Sequence, residues 1–260
     1  MKASILNKLF KSRAFRTAFS AAFWFGVWQT AAAAVGQELL LPAPLVVLKR
    51  LGELALTHEF YKAVFLTMLR VCAGFAAGVL SGSLLAALCA FSKAADCLIA
   101  PLFRIVRSTP VQSFIILALL WIKYPVIPAF ISMLMVAPVV WGNVKAGIEN
   151  ADKELLELTK AYNFSFIRSL RLFYIPSVEP YFFSGCITAL GMAWKSAVAA
   201  EVLCLPKGSV GAFLYYSKIY LETPDLFAWT ATVIVLSFIW EKLLSELFGA
   251  LQKRKRRISF

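Results

Sequence analysis

Two ionisable residues stand inside one long apolar segment. Lys195 lies near the middle of residues 180–203, and Glu201 follows six positions later. A charge at the centre of a bilayer costs at least about 2.5–3.5 kcal/mol, so Lys195 is expected to face the interior of a helix bundle. There it can line a pathway and favour an anion, or it can form a structural pair with a carboxylate or with carbonyls. At about 3.6 residues per turn, Glu201 falls about 240° further round the helix. The two therefore do not share a face, and Glu201 is expected to cap a neighbouring span end or to stand at an external gate. Neither arrangement is catalytic. The sequence has no His pair, no nucleophile with a base and no carboxylate dyad, and it lacks a G-x-x-x-x-G-K-[ST] phosphate loop. Cys72, Cys89, Cys97, Cys186 and Cys204 form no C-x-x-C pair, and the single His58 cannot complete a metal site. The cysteines read as small apolar residues filling helix contacts.

The elements that hold these residues are membrane spans. The chain is 60% hydrophobic and only 16% charged, against about 25% charged in soluble domains. Runs near 20 apolar residues recur, and each is long enough to cross a bilayer. The pattern predicts an all-α polytopic membrane protein with about six spans, at 17–35, 62–91, 97–122, 126–144, 180–203 and 226–249. Residues 1–16 carry Lys2, Lys8, Lys11, Arg13 and Arg16 and no acid. The apolar segment after them exceeds the length of a signal peptide's apolar region, so it is read as an uncleaved first span. Residues 36–60 read as an external connection with a short interfacial helix at 45–56. Gly74, Gly78 and Gly82 recur every four residues in the second span. Such spacing lets helix backbones approach closely in lipid, within one subunit or across a dimer. The third span begins with Arg104, Arg107 and Pro110, and the arginines read as anchors that snorkel to headgroups. The 27 basic residues against 14 acidic sit at span ends, including Lys253 to Arg257. This matches the positive-inside rule and not a nucleic-acid footprint. Both termini and the interval 145–178 are thus expected in the cytoplasm. The expected organisation is 1–60 (tail, first span and external connection), 61–250 (packed core) and 251–260 (basic tail).

One long polar interval interrupts the apolar chain, from Asp152 to Pro176. Leu155, Leu158 and Tyr162 recur at i, i+3 and i+7, one face of a helix. Asp152, Lys153, Glu154, Glu157 and Lys160 fall largely on the other side. Asn163 suits the left-handed residue that closes a helix, and Ser165 can cap a second one. Phe166, Ile167, Leu170, Phe173 and Tyr174 supply its apolar face, and Pro176 is expected to stop it. About ten residues at about 1.5 Å each give a helix of about 15 Å, enough to fill a groove on a partner.

The run Glu157-Leu-Thr-Lys-Ala-Tyr-Asn163, followed by Ile175-Pro176, resembles the EAA loop of permease subunits in bacterial ABC importers. Glu157 and Pro176 match in position, while Leu158 and Thr159 replace the two alanines and Asn163 replaces the glycine. Flanking segments are similar to the nitrate/sulfonate/taurine branch. They are LPAPLVVLKRLGEL at 41–54, Thr67 to Arg70, Ser108-Thr-Pro110, Gly185, Ala193-Trp194, Ala200-Glu201 and Glu222-Thr-Pro. The resemblance covers about residues 35–250. It implies a type I importer in the bacterial inner membrane, with two permease subunits (one type used twice is the simpler expectation), two cytoplasmic ATPase subunits and an external binding protein. The chain would bind no cofactor, because ATP and Mg would sit on the ATPase partner. The loop at about 150–176 would be the coupling helix, with Leu155, Glu157, Leu158, Thr159, Tyr162, Asn163 and Pro176 facing the ATPase. The pathway for a small anionic solute is expected to involve Lys195, Glu201, Trp194, Ser108 and Thr109. Two alternatives stay open: an energy-coupling subunit of another importer architecture, for a vitamin or thiamine precursor, and a membrane enzyme or structural protein.

Overall fold

The computed structural model describes residues 12–152, 157, 162 and 164–258, apart from the side chains of 13, 14, 166, 244, 247, 248 and 250–258. The described residues are helical throughout, without strands. Among the described residues, nine helices of eight residues or more carry the fold: α1 (Arg13–Val35), α2 (Pro44–Ala55), α3 (His58–Phe91), α4 (Lys93–Ser108), α5 (Val111–Ala118), α6 (Ile127–Glu149), α7 (Ile175–Cys204), α8 (Val210–Ile219) and α9 (Thr223–Ile258). Among the same residues, five segments are long and apolar enough to cross a membrane: Phe15–Val35, His58–Phe91, Ile127–Glu149, Ile167–Cys204 and Thr223–Leu243. The expected span at 97–122 departs from this pattern. Pro110 disfavours helical geometry at the residue before it, and Thr109 is extended, with φ −92° and ψ 135°. The segment is therefore divided into α4 and α5.

The chain forms two compact units. The first comprises residues 1–60 and 213–232. Here α1 ends on Gly36, whose φ of 65° gives the left-handed cap that glycine adopts without strain. Pro44 starts α2 at a position where its missing N–H is not needed, so the expected interfacial helix is present within a residue of its predicted ends. The Trp28 indole donates to the Pro42 carbonyl at 3.1 Å, and the Thr223 hydroxyl donates to the Leu39 carbonyl at 2.7 Å. The Arg50 guanidinium binds both oxygens of Asp225 and also Glu53. Those hydrogen bonds hold the guanidinium protonated, well above its ordinary pKa. Phe213 stacks on Trp229 at 4.9 Å, and Phe60 lies on the same indole at 5.3 Å.

The second unit comprises residues 61–212 and 233–260. Its core is α6, flanked by α3 and α7. Helix association in lipid depends on close packing, because lipid tails are as apolar as leucine. Glycines create that proximity here. A Cβ on Gly78 would sit 2.6 Å from Val136 Cβ, and one on Gly82 would sit 2.5 Å from the Ala137 carbonyl oxygen. Gly74 meets Ala129 and Ser132 in the same way. The glycine row thus packs against α6 of the same chain. Further along α6, a Cβ on Gly185 would meet Asn143 Cβ at 2.8 Å, and one on Gly147 would meet Val178 Cα at 3.0 Å. A further cluster joins α4 to α6. Lys145 pairs with Asp96 and lies 5.3 Å above the Trp141 ring, against which Phe103 packs edge-on at 5.2 Å.

Gly78→Leu is expected to overpack the contact between α3 and α6, a change that costs about 1–3 kcal/mol or more. It should lower the melting temperature of the detergent-purified protein. Gly26→Ala, on α1 where nothing lies within 4 Å, should leave melting unchanged. Equal melting of the two variants would refute the packing role.

Candidate functional site

The polar interval and the ionisable residues belong to one continuous element. The Phe166–Ser169 turn leads into a π-helical stretch, Leu170–Tyr174, and then into α7. Ser165 accepts a hydrogen bond from the Arg168 N–H at 3.4 Å, as expected of a cap. Pro176 does not stop the helix. It occupies the first turn of α7, where a proline is tolerated. The π turn takes up the local mismatch, with the Ile175 N–H reaching the Leu170 carbonyl. Glu157 is helical and exposed, and Tyr162 is 72% exposed. Leu155, Leu158, Thr159 and Asn163 lie outside the described residues. The close of the interval is aromatic. Tyr162 and Phe173 each lie 6.4 Å from Phe164, the Arg168 guanidinium sits 4.4 Å over that ring, and Tyr174 meets Phe91 on α3 edge-on at 5.7 Å.

At the other end of α7, Glu201 is fully buried and surrounded by donors. Its Oε1 accepts from Arg70 at 2.9 Å. Its Oε2 accepts from the Thr67 hydroxyl at 2.8 Å and from the Gly211 N–H at 3.2 Å. Thr67 in turn accepts from the Val210 N–H at 3.1 Å, and the Ser209 hydroxyl accepts from the Ala212 N–H at 3.1 Å. The first N–H groups of a helix have no partner within it. In α8 the first three each find a side-chain oxygen, and a carboxylate there also opposes the positive helix end. Glu201 thus caps the start of α8, a ten-residue helix, where a neighbouring span end was expected. The residues that reasoning from sequence missed as its partners are Thr67 and Arg70. The signal was present: Thr67 and Arg70 are three apart and so share a helical face, within a span that has no other reason to carry a buried arginine. Gly211 allows the approach, because a Cβ would lie 2.7 Å from the Val202 backbone nitrogen.

The remaining candidates separate. Trp194 is buried, and its indole donates to the Val233 carbonyl at 3.2 Å. Ser108 and Thr109 are not drawn into a shared polar site; both hydroxyls donate to the Ile105 carbonyl, at 3.1 and 2.8 Å. Arg107 does more than snorkel. It donates to the Pro138 carbonyl and fills the space left by Gly142, while Arg104 is exposed. Lys195 departs from expectation, because it does not face the interior of this chain. It is exposed between buried Trp194 and buried Ser196. Tyr181, Ser184, Thr188 and Met192 are exposed on the same helix at spacings of three and four. Among the described residues no group of three or more His, Cys, Asp or Glu side chains could hold a metal ion.

The model of the family described as "Binding-protein-dependent transport system inner membrane component" matches residues 78–257. This is more than half of the chain, and the chain belongs to that family. It is 25% identical over 232 residues to the "Putative aliphatic sulfonates transport permease protein SsuC" of Bacillus subtilis (strain 168), covering 88% of this chain and 82% of that protein. It is also 25% identical over 225 residues to the "Nitrate import permease protein NrtB" of Synechocystis sp. (strain ATCC 27184 / PCC 6803 / Kazusa), covering 82% and 80%. A solved structure described as "Crystal structure of an amino acid ABC transporter with histidines" superposes with a TM-score of 0.61 at 16% identity, covering 75% of this chain and 93% of that one. This likeness bears on the fold. The family match does not favour the energy-coupling alternative.

The Glu201 bracket generates a stability prediction. Removing one partner of a buried ion pair costs about 3–5 kcal/mol, whereas removing both costs much less. Arg70→Met should therefore lower the melting temperature more than Arg70→Met with Glu201→Gln. A double variant that melts at the sum of the two single losses would show that the groups do not act together.

Proposed function

We propose that the chain is the permease subunit of an ATP-driven importer in the bacterial inner membrane, passing a small anionic solute delivered by an external binding protein. The observation that carries this reading is the continuity of the helix from Phe166 through the π turn into α7. The segment Ile167–Cys204 has 38 residues, a rod of about 57 Å at about 1.5 Å per residue. A displacement of the docking interval is thereby delivered to Lys195 and Glu201 by one rigid body. Alternating access requires such a lever.

In this reading ATP and Mg are held by two cytoplasmic ATPase subunits, and both termini lie on their side of the membrane. Leu155, Glu157, Leu158, Thr159, Tyr162, Asn163 and Pro176 form or support the docking surface, and the core at 61–250 carries the path. The exposed face of α7 bearing Tyr181, Ser184, Thr188, Met192 and Lys195 cannot remain against lipid, because an ammonium there is costly. A second copy of the chain covers it, and the path runs along the seam. Lys195 supplies the cationic side, in keeping with relatives named for sulfonates and nitrate. Glu201 serves the path as a bracket holding α3, α7 and the start of α8 together.

Two experiments test the reading. A chain lacking residues 152–165 should still insert in the membrane but fail to co-purify with its ATPase; retained binding would remove the docking assignment. Lys195→Met should lower uptake of labelled alkanesulfonate or nitrate by cells carrying the full importer by about tenfold or more, the loss expected when an interaction made only during translocation is removed. Unchanged uptake of both anions would remove Lys195 from the path.

A further inference from the structure

A second charge stands beside Lys195 without a partner. In the second unit four carboxylates lie on membrane-spanning helices: Glu149, Glu179, Glu201 and Glu241. Glu149 lies 3.6 Å from Lys145. Glu201 is occupied by its three donors, and Glu179 is engaged as well. Glu241, on α9, has no hydrogen bond or ion pair among the described residues. Its carboxylate nevertheless has a fixed place. Oε1 lies 3.0 Å from where a Cβ on Gly191 would be, against α7. The neighbouring Trp240 indole N–H is enclosed and also lacks an acceptor.

Gly191 and Lys195 are four apart on α7, so their Cβ positions lie about 5–6 Å apart on one face. Side chains on a helix lean toward its N-terminus and cover the preceding turn. A lysine at 195 therefore leans over residue 191, the one place on α7 with no side chain and the place where the Glu241 carboxylate rests. The flexible four-carbon stem of lysine can close the remaining gap by a change of rotamer.

We infer that Glu241 is the counter-charge of Lys195, and that the two pair across Gly191 in the state of the transport cycle in which no solute is held. This rests on Lys195 serving the path. An entering anion displaces the Glu241 carboxylate from the ammonium, and the carboxylate displaces the anion on release. The ammonium thus exchanges one anionic partner for another during the cycle, which lowers the cost of its charge in the membrane. In the present arrangement the pair is open, with Lys195 exposed and Glu241 held at Gly191. Glu241 is a positioning residue that acts through Lys195.

The test is a double-mutant cycle on the full importer in proteoliposomes, with alkanesulfonate and nitrate as probes. Lys195→Gln and Glu241→Gln should each lower the maximal import rate about tenfold, and the double variant should fall no further than the weaker single variant, within about twofold. Glu241→Gln at the wild-type rate, or a double variant slowed by the product of the two losses, would overturn the pairing while leaving Lys195 in the path. A wild-type rate in Lys195→Gln would overturn the path and the pairing together. A second readout covers variants that fail to assemble. The exchange Lys195→Glu with Glu241→Lys should restore the yield and melting temperature of the purified chain that Lys195→Glu alone loses. An exchange variant no better than Lys195→Glu would also overturn the pairing.

Discussion

A carboxylate inside a bilayer cannot turn to water, so every helix near Glu201 is placed by the need to supply it with donors. Arg70 and Thr67 come from α3, and the Gly211 N–H comes from the first turn of α8. Because Glu201 itself is on α7, one side chain joins two consecutive helices, α7 and α8, to α3, more than 130 residues earlier in the sequence. Residues 205–209 reverse direction so that α8 starts on this acceptor. Leu205 adopts a left-handed conformation, with φ 51°, which costs an ordinary side chain about 1–2 kcal/mol. Such a residue persists where its surroundings over-determine it. Here they do, because the Leu205 N–H bonds the Glu201 carbonyl at 2.9 Å while the Glu201 side chain holds the other end of the turn.

Below that bracket the constraint changes from polarity to shape. No hydrophobic force draws apolar helices together in lipid, so contact must come from close surfaces. Gly74, Gly78 and Gly82 bring α3 close to the first half of α6, and Gly147 and Gly185 bring α7 close to its second half. These contacts leave little room for α7 to slide independently of α6. The polar bracket and the glycine contacts lie on different levels of α7, and the two together make it stiff. A stiff helix is what the proposed lever needs, and its π turn at Leu170–Tyr174 lies ahead of both sets of contacts.

Much of this was legible in the sequence. Apolar runs announced the spans, and the spacing of four announced the glycine row. The six-residue offset of Lys195 and Glu201 placed them on different faces, and one is exposed while the other is buried. The misreadings have physical causes. The apolar run at 97–122 is broken because Pro110 acts through its neighbour Thr109, an effect that hydropathy does not register. Pro176 was read as a stop, yet a proline in a first turn interrupts nothing. Lys195 was expected inside the chain because a lone charge favours an interior. In the proposed dimer, however, a residue outside its own chain would lie inside the assembly. The donors to Glu201 were hidden because pairing at a sequence separation of 131 or more leaves no local periodicity.

The arrangement also accounts for why one helix carries a saturated carboxylate and an open cation. Glu201 has both oxygens engaged, by three donors from α3 and the start of α8, so it contributes rigidity. Lys195 is about one and two-thirds turns away on a face that this chain does not cover, and its ammonium can exchange partners. Separating the two on one rod lets the fixed charge hold the helix in place while the free charge moves with it. Had the residues been four apart, they would have paired with each other. The bracket would then have lost its carboxylate, and the path would have lost its cation. The six-residue spacing keeps them apart, so the action on an anion proposed for Lys195 would leave the contacts of Glu201 intact.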